Sequence, residues 1–146
     1  MMVSTHRTLS ILIVEDDHAL AELLRCVVND VPGWGAIVVH DAAAALGVLR
    51  HVRVGLLLLD VNLPSMSGPE LLFRLHRDPR LATVPAVLMS ANAKPPEVER
   101  MLERGEVATF VHKPFDVDEL ADALDAAAAT TSSDSQQVGT AARRAA

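Results

Sequence analysis

Apolar positions along this chain follow two rhythms that alternate from Ser10 to Ala129. Short β-branched or leucine-rich runs occur at Ser10 to Val14, Ala36 to Val39, Val54 to Leu59, Val84 to Met89 and Ala108 to His112. Between them lie longer stretches with apolar residues at helical spacing. The alternation predicts five βα units and a parallel sheet. Because the runs are continuously apolar, the strands are expected to be covered on both faces.

The intervening stretches predict five helices. The first carries Leu20, Leu23, Leu24, Val27 and Val28, and Pro32-Gly33 ends it with turn chemistry. The second starts near Asp41 and is alanine-rich, with Leu46 and Leu49 as anchors. The third opens with Ser67-Gly68-Pro69-Glu70. There Ser and Glu can cap each other's backbone N–H groups and proline sits in the tolerated first turn. Pro79 marks its end. The fourth runs from Pro95 or Pro96 to Gly105 on a thin stripe of Val98, Met101 and Leu102, so it is expected to be the least firmly docked. The fifth opens with Asp116 and Glu119 in a capping arrangement and buries Leu120, Ala123, Leu124 and Ala127. Residues 130–146 are small and polar without periodicity, which predicts a disordered tail. Residues 1–9 are an N-terminal extension, leaving 10–129 as one domain; 146 residues suffice for a single well-buried core.

Composition narrows the partners. A net charge of −6 disfavours binding of nucleic acid or anionic lipid, since a phosphate backbone needs a cationic surface to replace its counterions. Three phenylalanines, one tryptophan and no tyrosine leave little material for base stacking. No apolar run approaches a bilayer span and no signal peptide is visible, so a cytoplasmic protein is expected. The single cysteine, Cys26, sits among Leu23, Leu24 and Val27 on the first helix, a place that suits a small buried apolar side chain.

In an open parallel sheet, ligands sit at the carboxyl ends of the strands. Residues in those places form a chemical set: Glu15, Asp16 and Asp17 after the first strand, Asp60 after the third, Ser90 after the fourth, and Lys113-Pro114 after the fifth. Carboxylates crowded together repel, and a hard divalent cation is the usual remedy; Glu15, Asp16 and Asp60 could hold Mg²⁺. A carboxylate can also attack phosphorus while the metal neutralises charge, and Asp60 stands at the centre. Lys113 would supply a positive charge and Ser90 a hydrogen bond to phosphoryl oxygens, while Asn62 could turn its main-chain carbonyl to the metal. Asp17, opening the first helix, reads as an N-cap. His112 should point away from Lys113 by strand alternation. His18, His40, His51 and His76 lack ligand spacing and read as solvated or packing residues. Met66 and Met101 read as gap-fillers.

Four segments together resemble the receiver domain of bacterial two-component response regulators: ILIVEDD at Ile11 to Asp17, LLLLDVNLPSMSG at Leu56 to Gly68, LMSA at Leu88 to Ala91 and VHKPF at Val111 to Phe115. The resemblance covers nearly everything except the tail. It implies a doubly wound, flavodoxin-like (βα)5 fold with helices on both faces and strand order 2-1-3-4-5. It further implies that Asp60 is the phosphoacceptor, Glu15 and Asp16 the acidic metal pair, and Asn62 a main-chain ligand of Mg²⁺. Ser90 would be the switch hydroxyl, Lys113 the lysine that contacts the phosphoryl group through a cis bond to Pro114, and Phe110 the switch aromatic. Phosphate would come from a sensor histidine kinase or phosphotransfer protein. The output would be a change at the face of the fourth helix, fifth strand and fifth helix. The implied molecule is a regulatory phosphoacceptor that assists its own phosphorylation and dephosphorylation, rather than an enzyme. Homodimerisation through the fourth and fifth helices is compatible with such a domain.

The chain departs from that pattern in three places. Glu15 is one methylene longer than the usual aspartate, the stretch Gly105 to Thr109 lacks the usual Gly-Ala start, and the Ser90 to Lys113 interval is one residue longer than the family's. With only a short tail after the fifth helix, a stand-alone receiver is expected. Two other classes stay open: a receiver-shaped scaffold that takes no phosphate, and a haloacid-dehalogenase-type phosphatase. Asn62 stands where the latter wants an acid. Nucleotide binding lacks a glycine-rich loop after the first strand.

Overall fold

A computed structural model describes residues 9–130. The extension at 1–8 and the tail at 131–146 lie outside the described residues. Five parallel strands, β1 (Leu9–Val14), β2 (Trp34–Val39), β3 (Leu56–Asp60), β4 (Ala86–Ser90) and β5 (Thr109–His112), form one sheet in the order β2-β1-β3-β4-β5. Helices α1 (His18–Asn29), α2 (Ala42–His51), α3 (Gly68–His76) and α4 (Pro96–Glu103) connect them, and α5 follows at residues 117–130. Among the described residues no helix is long and apolar enough to cross a membrane.

The pleat explains the continuous apolar runs. Leu12, Val14, Leu57, Leu59 and Leu88 face one side of the sheet with Ala45 and Leu49 of α2, Leu71, Leu72 and Leu75 of α3, and Val98 and Met101 of α4. Ile11, Ile13, Leu56, Leu58, Val87 and Met89 face the other, with Leu24 and Val28 of α1 and Leu120 and Leu124 of α5. Successive side chains alternate between two cores, so both parities must be apolar.

Side chains start four of the helices. Asp17 accepts from the N–H of Ala19 and Leu20 at 3.0 and 3.1 Å, Asp41 from Ala44 at 2.7 Å, Ser67 from Glu70 at 3.2 Å and Asp116 from Glu119 at 2.7 Å. Each such cap contributes about 1 kcal/mol. The fourth helix begins at Pro95 without a side-chain cap and buries only Val98 and Met101. That agrees with its thin apolar stripe.

Two expectations for α1 are corrected. Leu23 is 50% exposed and Cys26 is exposed, while the buried positions are Ala21, Leu24 and Val28. At about 100° per residue these three form one narrow stripe, and positions 23 and 26 fall on the opposite side of the helix. Strand limits also shift. Trp34 and Gly35 extend β2 toward its start, whereas Val54 and Val84 precede β3 and β4. Asp60 and Ser90 become the last residues of their strands.

Candidate functional site

The strands end in a common row, and the polar residues gather there. Backbone pairing sets Asp60 opposite Met89 and Ser90 opposite His112, while Val14 at the end of β1 pairs with Leu59. The residues just beyond β1 and β5 are thus brought beside Asp60. One carboxylate oxygen from each of Glu15, Asp16 and Asp60 lies within 4.8 Å of the others. Lys113 Nζ bridges two of them, 2.6 Å from Glu15 Oε1 and 2.7 Å from Asp60 Oδ2.

Burial separates these acids. Glu15 is wholly buried and Asp60 nearly so, whereas Asp16 is exposed at the mouth. Two buried carboxylates thus share one ammonium, and the pocket carries excess negative charge. Burial pushes the Glu15 carboxyl up to about 7, against the lowering effect of Lys113 and of the Asp17 N–H; the neighbouring Asp60 charge adds to the rise. Burial alone would lower Lys113, yet its hydrogen bonds to Asp60 and Glu15 carry it above its ordinary value. A buried acid whose ionisation is disfavoured, set beside two further carboxylates, makes a site that fits a divalent cation. Oxygen donors without thiolate or imidazole suit Mg²⁺ or a similar hard ion.

The remaining candidates are near but differently engaged. Asn62 donates its backbone N–H to Asp60 Oδ1 at 2.8 Å and its side-chain amide to Ser90 Oγ at 3.1 Å. Ser90 Oγ also accepts from the N–H of Asn92 at 3.1 Å. Lys113 donates its backbone N–H to the Ser90 carbonyl at 2.8 Å, which ties the ends of β4 and β5 together. The Lys113-Pro114 peptide is cis. Phe110 is partly buried against the α2-α4 core and stands opposite Leu88, one pleat before the row of Ser90. His112 is exposed, and Asp17 acts as the N-cap of α1.

Three contacts carried no readable signal in the sequence. A Cβ on Gly68 would lie 2.5 Å from the Asp60 carbonyl oxygen and 3.1 Å from Val61 Cα, so only glycine lets the loop fold back beneath Asp60. The Gly68 N–H donates to the Val61 carbonyl at 2.9 Å. The Asn62 amide on Ser90 depends on a loop path that spacing does not give. His40 donates from Nδ1 to the main-chain carbonyl of Glu15 at 2.9 Å, a contact between loops remote in sequence.

Comparison with known proteins places the fold in a family. A family model for the response regulator receiver domain matches residues 11–125. The DNA-binding response regulator MtrA of Mycolicibacterium smegmatis is 37% identical over 110 residues, which are 75% of this chain and 46% of that protein. The chain therefore spans about half the length of that relative. A sensor protein from Polaromonas superposes with a TM-score of 0.73 at 33% identity, covering 84% of this chain and 97% of that one. The signal receiver domain of an HD domain-containing protein from Pseudomonas fluorescens gives a TM-score of 0.78 at 27% identity, covering 87% and 99%.

Proposed function

This chain belongs to the response regulator receiver domain family of two-component signalling, and from that premise we propose that Asp60 accepts a phosphoryl group beside a bound Mg²⁺. Glu15, Asp16 and Asp60 would hold the ion, with the Asn62 main-chain carbonyl as a further ligand. When bound, the ion supplies positive charge that neutralises the transferred group and the crowded acids. The observation that carries the reading is the buried Asp60 carboxylate, 2.7 Å from an ammonium and within metal-sharing distance of two other acids.

The donor in this reading is a phosphohistidine on a sensor histidine kinase or phosphotransfer protein. An Asp60 carboxylate oxygen attacks phosphorus, the P–N bond breaks, and the imidazole leaves as an acyl phosphate forms. Lys113 then exchanges its Asp60 contact for a phosphoryl oxygen. Ser90 Oγ already accepts two hydrogen bonds, so its own O–H is what it offers another such oxygen. A Ser90 side chain drawn toward the phosphate vacates space on the sheet face it shares with Phe110. Inward rotation of Phe110 would alter the surface of α4, β5 and α5 for a protein partner. The light anchoring of α4 supports that choice of moving element. The acidic balance favours a protein over nucleic acid as the direct partner of this domain.

Intact-mass measurement after incubation with acetyl phosphate and Mg²⁺ tests the proposal. The native chain should gain one phosphoryl group and the Asp60→Asn chain none. Equal gains would remove Asp60 from its role, and no gain in either would favour a scaffold that takes no phosphate. Sustained release of phosphate from a phosphomonoester would point to a phosphatase instead.

A further inference from the structure

Two histidines outside the carboxylate cluster pack on the loop that carries it. The β1-β2 ladder ends where Val14 pairs with Val39, and the Glu15 N–H makes one last bond to the Val39 carbonyl at 3.1 Å. Beyond it the His40 side chain takes over: Nδ1 lies 2.9 Å from the Glu15 carbonyl oxygen. A carbonyl only accepts, so Nδ1 carries the hydrogen. His18, the first residue of α1, lays its ring against that of His40 with centroids 3.8 Å apart and planes within 12°. The main chain of Glu15 is therefore held at its N–H by Val39 and at its carbonyl by His40, one residue before Asp16. Asp16 is exposed, so its place relative to Glu15 and Asp60 is set by the backbone rather than by packing of its side chain.

We propose that His40 and His18 are positioning residues for the cation site: His40 extends the sheet by one side-chain rung to fix the Glu15-Asp16 main chain, and His18 braces the His40 ring. The idea rests on the cation-binding part of the function proposed above. It does not require phosphoryl transfer. Neither ring is a ligand in this scheme.

Amide chemical shifts of Asp16, Asp17 and Asn62, followed during MgCl₂ titration of the full chain, give the affinity, and thermal unfolding of each variant gives stability. His40→Phe keeps a ring for His18 but loses the donor; one lost hydrogen bond should weaken Mg²⁺ affinity about fivefold. His40→Asn keeps an N–H donor near the Nδ1 place and should recover affinity to within about twofold. His18→Ala, at an exposed position, should cost about twofold through the lost stacking. Unfolding midpoints should not follow that order. Unchanged affinity in both His40→Phe and His18→Ala would overturn the proposal, as would losses that track the midpoints and are not recovered by His40→Asn. If His40→Phe fails to fold, the comparison of His40→Asn and His18→Ala with native protein decides. A native chain that binds Mg²⁺, shows this pattern and yet takes no phosphoryl group would sink the phosphoacceptor reading and leave the positioning role standing.

Discussion

Glu15 should cost the metal-free domain stability near neutral pH. Its side chain is wholly buried, and its carboxyl is pushed from 4.5 to about 7, chiefly by burial. In the unfolded chain the group ionises near its ordinary value, while the folded chain keeps the proton until about pH 7. The folded state binds more protons in that window, so stability falls as pH rises from about 4.5 to 7 and stays lowered above it. The shift sets a ceiling of about 3 kcal/mol. Glu15→Gln removes the charge and leaves Lys113 paired with Asp60 at 2.7 Å. In EDTA at pH 8 the variant should be more stable than native by about 1 to 3 kcal/mol, or roughly 4 to 12 °C in Tm for a domain of this size. At pH 5 the native group is already protonated and the difference should close to within about 0.5 kcal/mol. Excess Mg²⁺ should raise the Tm of the native chain more than that of the variant. Calorimetry at both pH values, with EDTA and with Mg²⁺, reads each of these differences. A variant less stable than native at pH 8, or a gap independent of pH, would refute the reasoning.

Three further outcomes follow from the same geometry. Lys113→Met leaves Glu15 and Asp60 buried without their ammonium and should destabilise the metal-free domain at pH 8 by about 3 to 5 kcal/mol in urea unfolding; a loss under about 1 kcal/mol would mean that the pair is far better solvated than it looks. Gly68→Ala must displace the backbone beneath Asp60, so the urea midpoint should fall by the equivalent of about 1 to 3 kcal/mol at constant m-value, with slower labelling by acetyl phosphate; unchanged labelling would show that the loop yields without moving Asp60. Phosphorylation should shift NMR signals at Phe110 and along α4 as well as in the pocket, and shifts confined to the pocket would contradict the switch.

Much of this was legible because the fold imposes its pattern twice. A strand buried on both faces must be apolar at every position, which made Leu56 to Leu59 readable as a central strand. The same run made Asp60 conspicuous, since a carboxylate directly after it needs a reason. Helix starts were legible at Asp17, Asp41, Ser67 and Asp116 because a cap is local chemistry. The burial of α1 was less so: Leu23 and Cys26 fit an apolar series in sequence, but only the docking angle decides which stripe of a helix is covered. Strand limits at Val84 and Val54 slipped because an apolar residue beside the sheet packs as well as one within it. Contacts between loops, such as His40 on Glu15 and the Asn62 amide on Ser90, have no periodicity to betray them. Gly68 was visible as part of a helix start, while its close approach to the Asp60 carbonyl emerges only in three dimensions.

The most direct trial of the central claim is to trap the acyl phosphate chemically. Borohydride reduction after incubation with acetyl phosphate, followed by peptide mapping, should find the reduced aspartate at position 60, dependent on Mg²⁺. Reduction at Asp16 or Glu15 instead, or equal labelling of Asp60 in EDTA, would contradict a metal-assisted phosphoacceptor at the end of β3.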